Sequence, residues 1–115
     1  MVIIDKEYVV EQKENMRGGE GTVTIKRWAA DSALPPHVRL SATLVLPPGA
    51  SIGPHVHEGE AELFNVMSGI GEYNDNGTVV PVKPGYVMIN YDGQKHGIKN
   101  TGGEDLLVTA VIINN

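Results

Sequence analysis

Glycine and proline break this chain again and again, and the β-branched runs between the breaks are strand-length rather than helix-length. Pro35-Pro36, Pro47-Pro48-Gly49, Gly69-Ile70-Gly71, Asn74-Asp75-Asn76-Gly77, Pro84-Gly85 and Gly102-Gly103 all read as turns. The segments left between them are rich in β-branched residues: Val23–Trp28, Arg39–Leu46, Leu63–Met67, Thr78–Lys83, Tyr86–Asn90, Gly97–Asn100 and Leu106–Ile113. In the second of these, Leu40, Ala42, Leu44 and Leu46 fall on one face of a period-two strand. Asn76-Gly77 inside a polar tip predicts a tight hairpin. No window carries a helical stripe. The nearest, Lys6–Met16, fits neither period and is expected to be an extended or weakly ordered N-terminal arm. Seven or eight regularly spaced strands in 115 residues predict a single all-β domain, a sandwich or a barrel.

Composition narrows the function classes. Hydrophobic residues at 41% and charged residues at 20% describe a globular chain. The absence of cysteine excludes disulfide scaffolds, thiolate metal sites and thiol nucleophiles. Nine Lys and Arg against 14 Asp and Glu give a net charge of −5, the wrong sign for a non-specific nucleic-acid binder. No apolar run reaches the ~18 residues of a membrane span, so no membrane partner is expected. The opening Met1–Glu7 lacks the pattern of a secretory signal, and a cytoplasmic location is expected. A domain this small must also manage its sheet edges. Leu106–Ile113 and the N-terminal strands are candidate seams of a homodimer, or else ordinary core strands.

Four histidines are present: His37, His55, His57 and His96. His55 and His57 stand two apart, so on a strand both imidazoles project from one face and can converge on one ion. Glu62 is five residues further on, an odd step. The intervening Glu58-Gly59-Glu60 resembles a turn, which would reset the parity and let Glu62 supply an oxygen. His96, beside the turn Asp92-Gly93, would bring a third imidazole from a distant strand. Three imidazoles and a carboxylate suit a divalent transition metal (Mn, Fe, Co, Ni, Cu or Zn) rather than Ca or Mg. Spacing alone leaves open the alternative that these are ordinary surface or core histidines. Glu58 and Glu60 compete for the carboxylate role but are expected on a solvated turn, and His37 is expected in a loop.

At these residues the sequence resembles the cupin family. Gly49, His55, His57, Glu62 and Gly69 match the first cupin motif at every defined position. Gly85, Gly93, His96 and Asn100 match the second, with Tyr91 where the family usually has proline. The resemblance covers Gly49 to Asn100 directly. It implies a single jelly-roll (double-stranded β-helix) cupin barrel of six to eight strands, with the barrel core over 39–114 and an N-terminal arm and edge strand over 1–22. It further implies that His55, His57, Glu62 and His96 are metal ligands in the barrel mouth. If Glu62 faces inward, Phe64 and Val66 do too, and Ile98 follows His96. Tyr91 is expected at the rim.

The function expected on these grounds is metal-dependent chemistry on a small organic molecule that coordinates the ion directly, of oxygenase, isomerase or decarboxylase type. The alternative is a non-catalytic small-molecule binding or sensor module. No phosphate loop, Gly-x-Ser-x-Gly elbow or helix-turn-helix appears. No general base is identified, Tyr91 and Glu60 being open candidates. Lys26, Trp28 and Arg39 lie on early strands within possible reach of a ligand.

Overall fold

The computed structural model describes residues 1–115. Ten antiparallel strands form two sheets. They are β1 (Val9–Glu14), β2 (Thr22–Arg27), β3 (Val38–Leu46), β4 (Ser51–Val56), β5 (Glu60–Ser68), β6 (Gly71–Asp75), β7 (Thr78–Val82), β8 (Val87–Asn90), β9 (Lys95–Asn100) and β10 (Leu106–Asn114). The larger sheet has the order β1-β2-β3-β10-β5-β8 and the smaller β4-β9-β6-β7. Three single turns of 3₁₀ type, at Asp5–Glu7, Met16–Gly18 and Asp31–Ala33, are the only helical pieces. The chain is all-β, as the punctuation predicts.

Strict alternation builds the core. Ala42, Leu44 and Leu46 of β3, Val108 and Ala110 of β10, and Phe64 and Val66 of β5 are all buried between the sheets. The pairing register puts Ala110 opposite both Ala42 and Phe64. Two small side chains side by side thus make room for the one phenylalanine, as close packing requires. Phe64, Val66 and Ile98 face inward as parity predicts, each 3% exposed or less.

Two strands depart from the sequence expectation, and one arm does. Gly71–Asp75 is a strand, although turn signals flank it on both sides. Its first residue sits so close to β9 that a Cβ on Gly71 would lie 2.5 Å from the Lys99 carbonyl, which is why glycine marks a strand start here. Ser51–Val56, short and holding both Gly53 and Pro54, is the second strand that propensity hides. The arm expected to be extended or weakly ordered is extended but firmly held, since β1 pairs with β2 at all six of its residues. Pairing, not hydrophobic period, orders it, because its side chains are mostly exposed. The expected hairpin is present: Asp75 pairs with Thr78 across Asn76 and Gly77, both at positive φ (51° and 95°), the signature of a type I′ turn.

The run Leu106–Ile113 is not an edge. β10 lies between β3 and β5 with both its hydrogen-bonding sides spent, so it is a core strand and cannot add a partner's strand. The edges of the large sheet are β1 and β8. No helix is long and apolar enough to cross a membrane.

Candidate metal centre

β4 and β9 deliver the three imidazoles. A bulge between Ile52 and His55 absorbs one extra residue at Gly53-Pro54, where proline could not donate to the ladder. The bulge sets His55 directly opposite His96 on β9. His57 lies one residue past β4, and its backbone is fastened to the neighbouring loop: Gly93 N–H donates to the His57 carbonyl at 2.7 Å and His57 N–H to that of Gln94 at 3.3 Å. The turn after His57 passes through Gly59 at φ 75° and resets the parity, so that Glu62 enters β5 facing inward, 5% exposed.

The result is one cluster. His55, His57, Glu62 and His96 each offer a donor atom, and these four lie within 4.8 Å of one another. His57 Nε2 is 3.1 Å from His55 Nε2 and 3.1 Å from His96 Nε2. Glu62 Oε1 is 3.0 Å from His57 Nε2 and 2.9 Å from His96 Nε2. His37, as expected, is elsewhere, in a turn at φ 73° whose carbonyl accepts from Asn114 N–H.

The opposite side of each ring decides what the cluster can do. His55 Nδ1–H donates to the Gly53 carbonyl at 2.7 Å, and His57 Nδ1–H donates to Glu60 Oε1 at 2.7 Å. A carbonyl and a carboxylate can only accept, so the neutral rings carry their protons on Nδ1 and leave Nε2 bare. The third ring has the Tyr73 hydroxyl 2.9 Å from Nδ1, while Phe64 stacks on its face at 5.0 Å. Bare nitrogens facing one another at 3.1 Å repel unless a cation lies between them. A proton would satisfy two of the four donors, whereas a metal ion satisfies all four. The four close separations, 2.9 to 3.1 Å, match the ~3.0 Å between neighbours in an octahedron with bonds of ~2.1 Å better than the ~3.4 Å of a tetrahedron. The four residues could therefore hold a metal ion.

Electrostatics agree. Burial pushes the His55 pKa down, opposed by its bond to the Gly53 carbonyl, and the charges of His96, His57 and Arg17 lower it further. Without a metal, the hydrogen bond to Glu62 raises that of His57 against its burial. Burial would raise the Glu62 carboxyl, but its bonds with His57 and His96 outweigh that and hold it low. Burial raises the Tyr73 phenol, so it stays protonated.

Glu60 corrects the sequence expectation. It is not on a solvated turn: it opens β5, two residues before Glu62 and on the same face, with its side chain only 14% exposed. Arg39 grips it in a fork at 2.5 and 2.7 Å. That grip, aided by His57, pulls its pKa down to about 2. Both oxygens are occupied, which unfits it as a general base and suits it to hold the His57 ring. Glu58 is exposed, as expected. Tyr73 is the other ring-holding residue the sequence did not disclose, because it falls between two turn signals and in none of the predicted strands.

Above the cluster opens a cavity of about 470 Å³, lined among others by Met16, Arg17, Arg27, Arg39, Ile52 and Phe64. Tyr91 does not line it and is 60% exposed. Trp28 turns away to Thr43 and Lys26 does not reach the cavity, whereas Arg39 does.

A cupin domain model matches residues 42–112. The chain belongs to the cupin family. An oxalate-binding protein of Thermotoga maritima is 43% identical to this cupin over 113 residues, covering 98% of this chain and 93% of its own. A crystal structure described as a predicted oxalate decarboxylase from Thermotoga maritima superposes with a TM-score of 0.94 at 43% identity, over the whole of both chains. KdgF from Halomonas sp. shares the fold, with a TM-score of 0.78 at 18% identity over all of this chain and 94% of that one.

Proposed function

We propose that this cupin binds a divalent transition metal through His55, His57, Glu62 and His96, and that a small carboxylic acid coordinates the ion from the cavity above. The carrying observation is the set of inward-facing, bare Nε2 atoms whose Nδ1 partners are already engaged. The relative named for oxalate binding supports the choice of ligand class. The bound ion would supply Lewis acidity toward a substrate oxygen and, if iron, copper or manganese, a redox centre. The chain supplies the rest. Glu60 and Tyr73 fix ring orientation, Phe64 and Ile52 give apolar wall that excludes water from one side, and Glu62 offsets part of the ion's charge.

On this reading the cupin is a metal-dependent enzyme of oxygenase, isomerase or decarboxylase type. One observation favours the second reading, a binding or sensor module: Glu60, the carboxylate that holds His57, is tied to Arg39 and is unsuited to proton abstraction. Metal-loaded protein incubated with oxalate separates the two, as product formation supports the enzyme and saturable binding without turnover supports the module. The metal site has its own test. His57→Ala should abolish stoichiometric metal uptake measured by elemental analysis, and full metal content in that variant would refute the assignment. A homodimer completes the proposal. Edge strands β1 and β8 expose Val9, Val10, Val87 and Ile89, which association would cover. Light scattering should return twice the chain mass.

A further inference from the structure

All three arginines of this acidic chain, Arg17, Arg27 and Arg39, line the one cavity above the metal cluster. Two are already paired. Arg27 donates to Glu11 at 2.6 and 3.2 Å, and Arg39 to Glu60. Arg17 makes no salt bridge and no side-chain hydrogen bond, yet it lines the same cavity as His55, His57 and Glu62. Guanidinium groups favour bidentate carboxylate partners, so an unpaired one in the cavity above the His and Glu cluster is free for a ligand's carboxylate.

The backbone spends stability to hold it there. Arg17 adopts φ 55°, ψ 33°, a left-handed conformation disfavoured for a side-chain-bearing residue, and so does Asn15 two residues before it. The turn is fastened to β4, the strand carrying His55. Ser51 N–H donates to the Glu20 carbonyl and Glu20 N–H to Ser51 Oγ, both at 2.9 Å. The two backbones touch so closely that a Cβ on Gly53 would collide with the Arg17 carbonyl, and one on Gly19 with that of Ser51. Gly53 is also the residue whose carbonyl orients His55. The guanidinium and the imidazole are thus referenced to one glycine.

Resting on the metal reading above, we propose that Arg17 is the specificity-determining residue of the cavity, binding the second carboxylate of a two-ended acid whose first carboxylate coordinates the metal. A dianion then bridges the ion and the guanidinium, and monocarboxylates forgo the second contact.

The test uses intact protein, loaded with Mn²⁺ and titrated calorimetrically with oxalate, malonate and acetate. Metal uptake is measured first. Arg17→Ala removes the guanidinium, Arg17→Gly does so while suiting φ 55°, and Arg17→Lys keeps charge without the fork. All three should take up Mn²⁺ as the parent does and bind acetate equally. The Ala and Gly variants should bind the preferred dicarboxylate about ten- to a hundredfold more weakly, and Lys should recover part of that. Unchanged dicarboxylate affinity in the metal-loaded Gly variant overturns the role of Arg17 and leaves the metal site standing. Metal-loaded parent protein that binds none of the acids also overturns it. Parent protein that takes up no metal removes the reading beneath it.

Discussion

Two residues apart on one face of β5, Glu60 and Glu62 do different work because different partners face them. Glu62 is buried against two imidazoles, while Glu60 is gripped by Arg39 and turns its other side to His57 Nδ1. Glu60→Gln should lower metal affinity about ten- to a hundredfold while keeping all four donors, measured by competition with a chromogenic chelator. It should also alter acid stability in metal-free protein. The folded pKa of Glu60 lies below its unfolded value, so its contribution is full above the ordinary carboxyl pKa of 4.5 and is lost as pH falls toward about 2. The variant's denaturation midpoint should fall less steeply across that window. Much at this scale was legible: two imidazoles at i, i+2, a turn glycine resetting parity, and a distant third histidine. The ring-holding partners were not. Glu60 stands on the face already assigned to Glu62, and that parity was a usable signal. Tyr73 carried none, since only the pairing of β6 with β9 brings it to His96.

At the scale of elements, two glycines separate two reasons for having no side chain. Gly77 sits at φ 95° with nothing near its missing Cβ, so Gly77→Ala carries backbone strain alone, about 1–2 kcal/mol. Metal affinity should not change. Gly53 sits in unstrained backbone but against the Arg17 carbonyl. Gly53→Ala should cost a comparable ~1–3 kcal/mol through overpacking and, unlike the first, weaken metal binding because it shifts the strand holding His55. Chemical denaturation and metal titration of both variants check the contrast; equal metal affinity in the two would show that the β4 bulge is not what places the ring. Strands with clean alternation, β3 and β10, were readable because hydrophobic burial alone specifies them. β1, β4 and β6 were not, because backbone pairing, a bulge and close approach define them, and none of these leaves a hydrophobic period.

For the whole molecule, metal and proton compete for the same nitrogens. The metal-free His57 has a raised pKa, so its contribution to stability is full below the ordinary histidine value near 6.5 and is lost as pH rises through the folded value. Metal binding has the opposite sign, since neutral rings are required and affinity rises with pH. The difference in melting temperature between metal-loaded and chelated protein should therefore be small near pH 5 and grow until about pH 8. At a thousandfold excess of free metal over its dissociation constant the stabilisation reaches ~4 kcal/mol. Calorimetric scans across that range check it, and a pH-independent difference would contradict the competition.

The placement of β10 between β3 and β5 has a consequence for synthesis. A nascent chain that has emerged only through β9 holds two strands with a vacancy between them, each offering an open row of amides and carbonyls to any other polypeptide nearby. The stretch that fills the gap follows the other nine described strands. Commitment to the native sheet therefore waits until translation has passed Asn114, and a ribosome stalled before that point displays a sticky intermediate that chaperones would need to shield.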